Sequence, residues 1–464
     1  MKSKNFVAPL DAQLKIVGCG AVLLLPFFLT HFRGGAEVII TLTSLLFLLH
    51  STLTASWGWI KQPIVVVMAL WWLWGVICSL PVRPIYGGQV GSFFQSLVVV
   101  RFLLFVVAMQ VWLLVSTRMQ TLLKILLCVC CAYIVGQILF QAIFGVNFFG
   151  QPRYFDGTLT GPYTKPRAAA PLSRLLLPVL LLACSAWWQK VDDKTRHEGN
   201  TSLLVRLGTG AGMIVLLAGG CTVMALAGQR MPFLLFGLGV FIAALWISQL
   251  RWVVGVLAVL VPVILAGVYY ASPGSFQHLV ILFENQISHF SSSHYARIYA
   301  RTWQMIEAYP WLGIGFDGFR YECANPAYWH DMVLVPTPVG NGGGAEICVQ
   351  HPHNHYLEAL SNAGWPGLLL FGGMVVSWLV VLAKGLAALP RQRIFSDKKA
   401  WGVGIFAAVF IQEWPIASTS SFVNMPLGGW FFLLLAMGMA EFAPISTTRT
   451  SSPYGRQRNE RLEE

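Results

Sequence analysis

Apolar runs of about 20 residues recur along the whole chain, and each is long enough to cross a bilayer core of roughly 30 Å. They fall near 14–30, 36–54, 63–81, 95–116, 121–145, 170–189, 204–228, 231–249, 252–270, 355–383, 399–418 and 426–445. A segment in hydrocarbon must satisfy its own backbone groups, so runs of this length are helices. The fold class that follows is all-α: a polytopic integral membrane protein of about twelve spans. Composition agrees, since 56% of the 464 residues are hydrophobic and only 11% are charged. About a quarter of a soluble domain is charged, which excludes an ordinary water-soluble enzyme. The first run has a basic start (Lys2, Lys4, Lys15) but no small-x-small cleavage site after it, so it is expected to stay as the first helix.

The division is 1–270 for helices one to nine, 271–354 for a large polar loop, 355–445 for helices ten to twelve, and 446–464 for a disordered cytoplasmic tail. Lys and Arg accumulate in cytoplasmic segments. With the N-terminus inside, most of the 31 basic residues lie inward, both termini are cytoplasmic, and 271–354 is outside. Cysteine labelling from outside is expected to reach Val335→Cys and to miss Gln392→Cys; the reverse pattern would invert the topology.

The basic residues that break this bias carry more information. Arg33, Arg83, Arg101, Arg153, Lys165, Arg167, Arg174 and Arg230 fall in outward loops or at outward helix ends, with only Glu37 and Asp156 as acids. A charge at full membrane depth costs on the order of 2.5–3.5 kcal/mol. Single arginines can snorkel to headgroups, but the group reads as an anion site, because the planar guanidinium suits phosphate oxygens. The net charge of +12 does not imply nucleic acid, since the inward charges are spread thinly and no basic-aromatic run occurs.

Within the outer loop, His294 to Tyr309 reads as an amphipathic helix with Tyr295, Ile298, Trp303, Met305 and Ile306 as its apolar set. Arg297 and Arg301 are four apart and share a face. Pro310 ends the helix, and Trp311-Leu312-Gly313-Ile314-Gly315 forms a glycine turn expected to pack against its surroundings. Seven cysteines lie in or beside apolar runs and read as small hydrophobes. Cys323 and Cys348, alone in the loop, are the candidates for a disulfide.

The loop ends in His351-Pro352-His353-Asn354-His355-Tyr356-Leu357-Glu358. Pro352 cannot continue a helix and Asn354 is a favoured N-cap, so the next span starts here with His353 just outside its positive end. That end and the nearby arginines favour a neutral imidazole, as a general base requires. His351, His353, His355 and Glu358 also resemble a zinc ligand set. A helix starting at Asn354 would turn His355 aside, so no metal ion and no cofactor are expected.

The sequence resembles the O-antigen ligase and polymerase superfamily of bacterial envelope glycosyltransferases. The family carries His, then Asn, Ser or Gln, nine residues, Gly, two residues, and Gly, Thr or Tyr; here these are His353, Asn354, Gly364 and Gly367. Arg153 to Pro178, Gly228-Gln229-Arg230 and Trp303 to Phe319 are similar to three further family regions. Where many members carry an acid two residues before the first glycine, this chain has Asn362, and Glu358 is the candidate substitute.

The resemblance implies a GT-C-like, metal-independent glycosyltransferase of the bacterial inner membrane with a periplasmic active site. The donor would be an undecaprenyl-diphosphate-linked glycan, and the acceptor lipid A-core or a lipid-linked repeat unit. His353 would be the base, and Arg230, Arg174 and Arg167 the first candidates for the diphosphate, with Arg153, Arg297 and Arg301 in reserve. Ligation to lipid A-core is the favoured reading and polymerisation the alternative. A polysaccharide flippase is disfavoured, because no two matching halves are visible in the sequence.

Overall fold

The computed structural model describes residues 4–82, 89–198, 203–323, 325–328, 349–390, 395–425 and 427–443. Among these the chain is helical, with no strand beyond an isolated bridge between Val146 and Pro152. Eight helices are long and apolar enough to cross a membrane: Ala8–His31, Arg33–Leu53, Val90–Leu113, Thr117–Phe144, Ala169–Asp193, Gly208–Leu226, Ser248–Ala271 and His355–Ala387. Pro63–Cys78, Arg230–Trp246 and Leu427–Phe442 are shorter apolar helices, and Asp397–Gln412 is a further helix of 16 residues. Every apolar run read from the sequence is therefore met by a helix.

Four of these helices position the site and are labelled here: α1 (Ala169–Glu198), α2 (Arg230–Trp246), α3 (His355–Ala387) and α4 (Asp397–Gln412). The most extensive packing in the molecule joins α1 to α4. It is permitted by Gly404, where a Cβ would lie 2.3 Å from the Cα of Pro178. Small residues allow this close approach of backbones in a bundle whose surroundings are as apolar as its core.

The expected span over 399–418 ends earlier, at Gln412. Pro415 lacks an N–H and disfavours helix in the residue before it. Residues 413–425 form an irregular stretch instead. Irregular backbone is tolerated inside a membrane bundle only where its polar groups find partners, and the start of α3 supplies them, as described below.

The outer loop has a small core of its own, made by Ile298, Met305, Ile314, Phe319, Cys323 and Tyr328. Its main helix, α5 (His294–Ala308), starts at Ser293, whose side chain accepts from the Ala296 N–H. Ile298, Met305 and Ile306 are buried as their spacing predicts. Trp303 is not: it is 45% exposed, and its indole donates to Glu307. Cys323 is disulfide-bonded; Cys348, its expected partner, lies outside the described residues, as do Arg83 and the tail 446–464. The seven other cysteines are free thiols.

Candidate active site

Helix α3 begins where the sequence places it. The Asn354 side chain accepts from the N–H groups of Tyr356 and Leu357, both at 3.0 Å. Its amide donates to the carbonyls of Pro415 at 2.7 Å and Ala417 at 3.3 Å. Tyr356 donates to the Glu413 carbonyl at 2.7 Å. The Glu358 carboxylate accepts from the Ser421 hydroxyl at 2.6 Å and from the Phe422 N–H at 3.1 Å. Glu358 is thus engaged in holding 421–422. The first turn of α3 acts as a clamp on residues 413–422, satisfying backbone groups that the early end of α4 leaves without helical partners.

His355 turns away from His353, as a helix starting at Asn354 requires. It is 3% exposed, with Nδ1 2.9 Å from Glu413 Oε2 and Nε2 3.0 Å from the Ser420 carbonyl. Among the described residues no group of His, Cys, Asp and Glu has the arrangement to hold a metal ion.

His353 itself adopts φ 56°, a left-handed conformation uncommon outside glycine, though less so for His than for most residues. Its carbonyl accepts from the Thr419 N–H at 2.9 Å. The ring lies between Tyr295 of α5, with centroids 5.6 Å apart, and His351, at 4.4 Å. Burial, with the neighbouring imidazoles, pushes His351 down to about 3, so it is neutral at any working pH.

His353 lines a cavity of about 900 Å³, and Arg174 and Arg230 line it too. Arg174 projects from the first turns of α1, 2% exposed, with Nη1 bonded to the Ala170 carbonyl and Ser173 Oγ; its buried Nε has no hydrogen bond among the described residues. Arg230 opens α2 and donates to the Leu282 carbonyl at 3.0 Å and to Gln286 Oε1. Leu235, Ile287, Phe290, Leu360, Leu368 and Leu427 give the cavity extensive apolar walls.

The other candidate arginines are placed elsewhere. Arg153 donates to Ser272 Oγ at 3.1 Å and the Ala142 carbonyl at 2.8 Å, bracing two helix ends. Arg167 is exposed. Arg301 is 5% exposed and donates to the Cys323 carbonyl at 2.9 Å, inside the loop's own core. Arg297, one turn before it, does not line the cavity either. The cavity also contains groups that sequence reading did not single out. Gln286 orients Arg230, while His278 Nε2 lies 3.0 Å from Asp156 Oδ2. Isolated polar residues of a loop carry no signal before their partners are known.

Gly364 and Gly367 do no chemistry. Gly364 has φ 65° and ψ −170° and breaks α3. Into the break comes the glycine turn after α5: Ile314 N–H donates to the Ser361 carbonyl at 2.8 Å, Gly315 N–H to Asn362 at 2.9 Å, and Trp365 N–H to Pro310 at 2.9 Å. The Trp74 indole takes the Ala363 carbonyl at 2.9 Å. The carbonyls of Ser361, Asn362 and Ala363 thus find partners at the break. A Cβ on Gly364 would stand 2.4 Å from the backbone of Trp311, and one on Gly313 2.3 Å from Asn362. Gly367 packs under Ala363, where a Cβ would approach to 2.2 Å. Gly364→Ala is therefore expected to cost about 3 kcal/mol, from a backbone region essentially reserved for glycine plus overpacking. A detergent thermal-unfolding curve unchanged from wild type would refute this.

A family model described as O-antigen ligase matches residues 212–372, a stretch that holds Arg230, α5 and the His353 motif; Arg153, Arg167 and Arg174 precede it. A search of curated proteins finds no match.

Proposed function

We propose, from the match of residues 212–372 to a family model described as O-antigen ligase, that the chain transfers a glycan from an undecaprenyl-diphosphate carrier to an acceptor hydroxyl. One observation carries the reading: His353, Arg174 and Arg230, from three separated parts of the chain, meet in one cavity with apolar walls. Such walls suit an isoprenoid chain, and the guanidinium groups suit its diphosphate.

In this reaction the His353 imidazole takes the proton of the acceptor hydroxyl. The freed oxygen bonds to the anomeric carbon of the donor, and the bond from that carbon to the diphosphate oxygen breaks. The electron pair leaves with the diphosphate, so negative charge grows where Arg174 and Arg230 lie. Fixed cations in a site shielded from water contribute most at that moment. Both arginines are held by hydrogen bonds to nearby protein groups, which limits the reorganisation needed.

The site faces the periplasm of a bacterial inner membrane in this reading, and the acceptor is lipid A-core. Polymerisation onto a carrier-linked repeat unit uses the same chemistry. Deleting the gene separates the two: loss of all long chains from lipopolysaccharide marks a ligase, and a core capped with one repeat marks a polymerase. The direct test is purified protein in lipid nanodiscs with carrier-linked donor. Arg230→Ala is expected to lower turnover about 10²- to 10³-fold, the range for losing one charge-stabilising donor, and Arg230→Lys to recover part of it. A silent Arg230→Ala would place the diphosphate elsewhere.

A further inference from the structure

A second cavity, of about 270 Å³, lies on the other side of the His351–His353 pair. His353 lines the first cavity, His351 lines the second, and their rings are 4.4 Å apart. The second cavity is lined by Arg33, Arg101 and Arg320, with Glu37 and Asp317 as its acids. Glu37 serves two guanidinium groups, with Arg33 Nε at 3.2 Å and Arg101 Nη2 at 3.5 Å. Arg320 Nη1 is 3.7 Å from Asp317. Charge-assisted hydrogen bonds close at about 2.7–2.9 Å, so none of these three contacts is tight. Arg101 Nε is buried and makes no hydrogen bond among the described residues.

One of the two acids, Asp317, is also weakened. Burial and the nearby Glu358 push Asp317 up to about 7, leaving a good part of it uncharged at neutral pH. With His351 neutral as well, the three arginines outweigh the two acids in the cavity. Asp317 has φ 56°, the same unusual conformation as His353. Strained non-glycine backbone of this kind clusters at functional sites, and here one such residue fronts each cavity.

We propose that the second cavity is an anion subsite for the acceptor: it takes a phosphate or carboxylate on the acceptor glycan and so presents a neighbouring hydroxyl to His353. The inference rests on the transfer reaction proposed above. A transferase must seat two substrates around one base, and the two cavities meet at the histidine pair. The second cavity lies just below the usual size of a ligand site; it has room for one charged sugar but not for a lipid tail, and polar residues make up most of its lining.

The test uses full-length protein in zwitterionic nanodiscs, saturating carrier-linked donor, and three forms of lipid A-core as acceptor: untreated, dephosphorylated, and with its carboxylates amidated. Arg101→Gln and Arg320→Gln are each expected to raise the acceptor KM about tenfold or more, as for loss of a charged hydrogen bond, leaving the donor KM unchanged. Glu37→Gln, which releases two arginines, is expected to lower it, a direction that damage to the fold would not produce. Whichever treated acceptor already shows the raised KM with wild-type protein identifies the recognised group. Equilibrium binding of the same acceptors without donor gives an answer independent of turnover. Absent transfer with normal, arginine-dependent binding would count against the reaction alone. The subsite is overturned if wild type binds all three acceptors equally, or if both arginine variants bind untreated acceptor as wild type does. It is also overturned if the variants differ from wild type only when anionic lipid is added, which would assign the cavity to a membrane headgroup.

Discussion

Replacing His353 with Ala or Asn is expected to lower transfer by about 10²- to 10⁴-fold, the contribution of a positioned general base. Folded protein should remain abundant. The clamp on residues 413–422 uses the His353 carbonyl, which any residue provides. The backbone at φ 56° sets a secondary condition. Ala in that region costs roughly 1–2 kcal/mol, whereas Asn adopts it readily and cannot take up a proton at working pH. His353→Asn is therefore the cleaner variant. The measurement is single-turnover transfer from carrier-linked donor, normalised to monodisperse protein. If His353→Asn retains substantial activity while His351→Ala loses it, the base is His351 and the assignment fails.

Two residues along, the opposite result is expected. His355→Ala should lose folded protein. His355 and Glu413 form a hydrogen-bonded pair with side chains 2% and 0% exposed. Removing one partner strands the other in the interior, which costs about 3–5 kcal/mol. His355→Gln, which can still donate to Glu413, is expected to recover part of that loss. Yield of monodisperse protein and its thermal midpoint decide the matter. A His355→Ala variant with wild-type yield and midpoint but no turnover would show that this histidine is chemical and not structural.

Much of the architecture was legible because span length and hydropathy are local properties. The helix start at Asn354 and the turning aside of His355 were legible for the same reason, since a cap and its first turn are set by adjacent residues. What escaped reading depends on where the chain returns. An apolar window through Ile416 and Ala417 extends a span past Pro415, although the proline ends the helix at Gln412. Charge bias gives an arginine its height in the membrane but not the side of the helix it occupies. Charge bias alone therefore does not separate Arg174 and Arg230 from Arg153 and Arg301, whose guanidinium groups brace helix ends and the loop core; the order that puts the first two ahead comes from the family resemblance. Trp303 fits the apolar period of α5 but lies on its open side. The glycine turn after Pro310 was read as packing, and it packs at the break in α3.

That break also limits how much of α3 a bilayer can hold. Uninterrupted, the 33 residues of α3 would measure about 50 Å, well beyond a hydrocarbon slab of about 30 Å. Broken at Gly364, the part that follows is roughly 34 Å long by the same rise per residue, a near match to the slab. The turns from His355 to Ala363 are then surplus to the crossing, with Asn354 as their cap and His353 just before it. If these surplus turns lie level with the headgroups, the carrier-linked donor of the transfer proposed above would meet the imidazole at its resting depth, without being lifted from its leaflet or drawn into it.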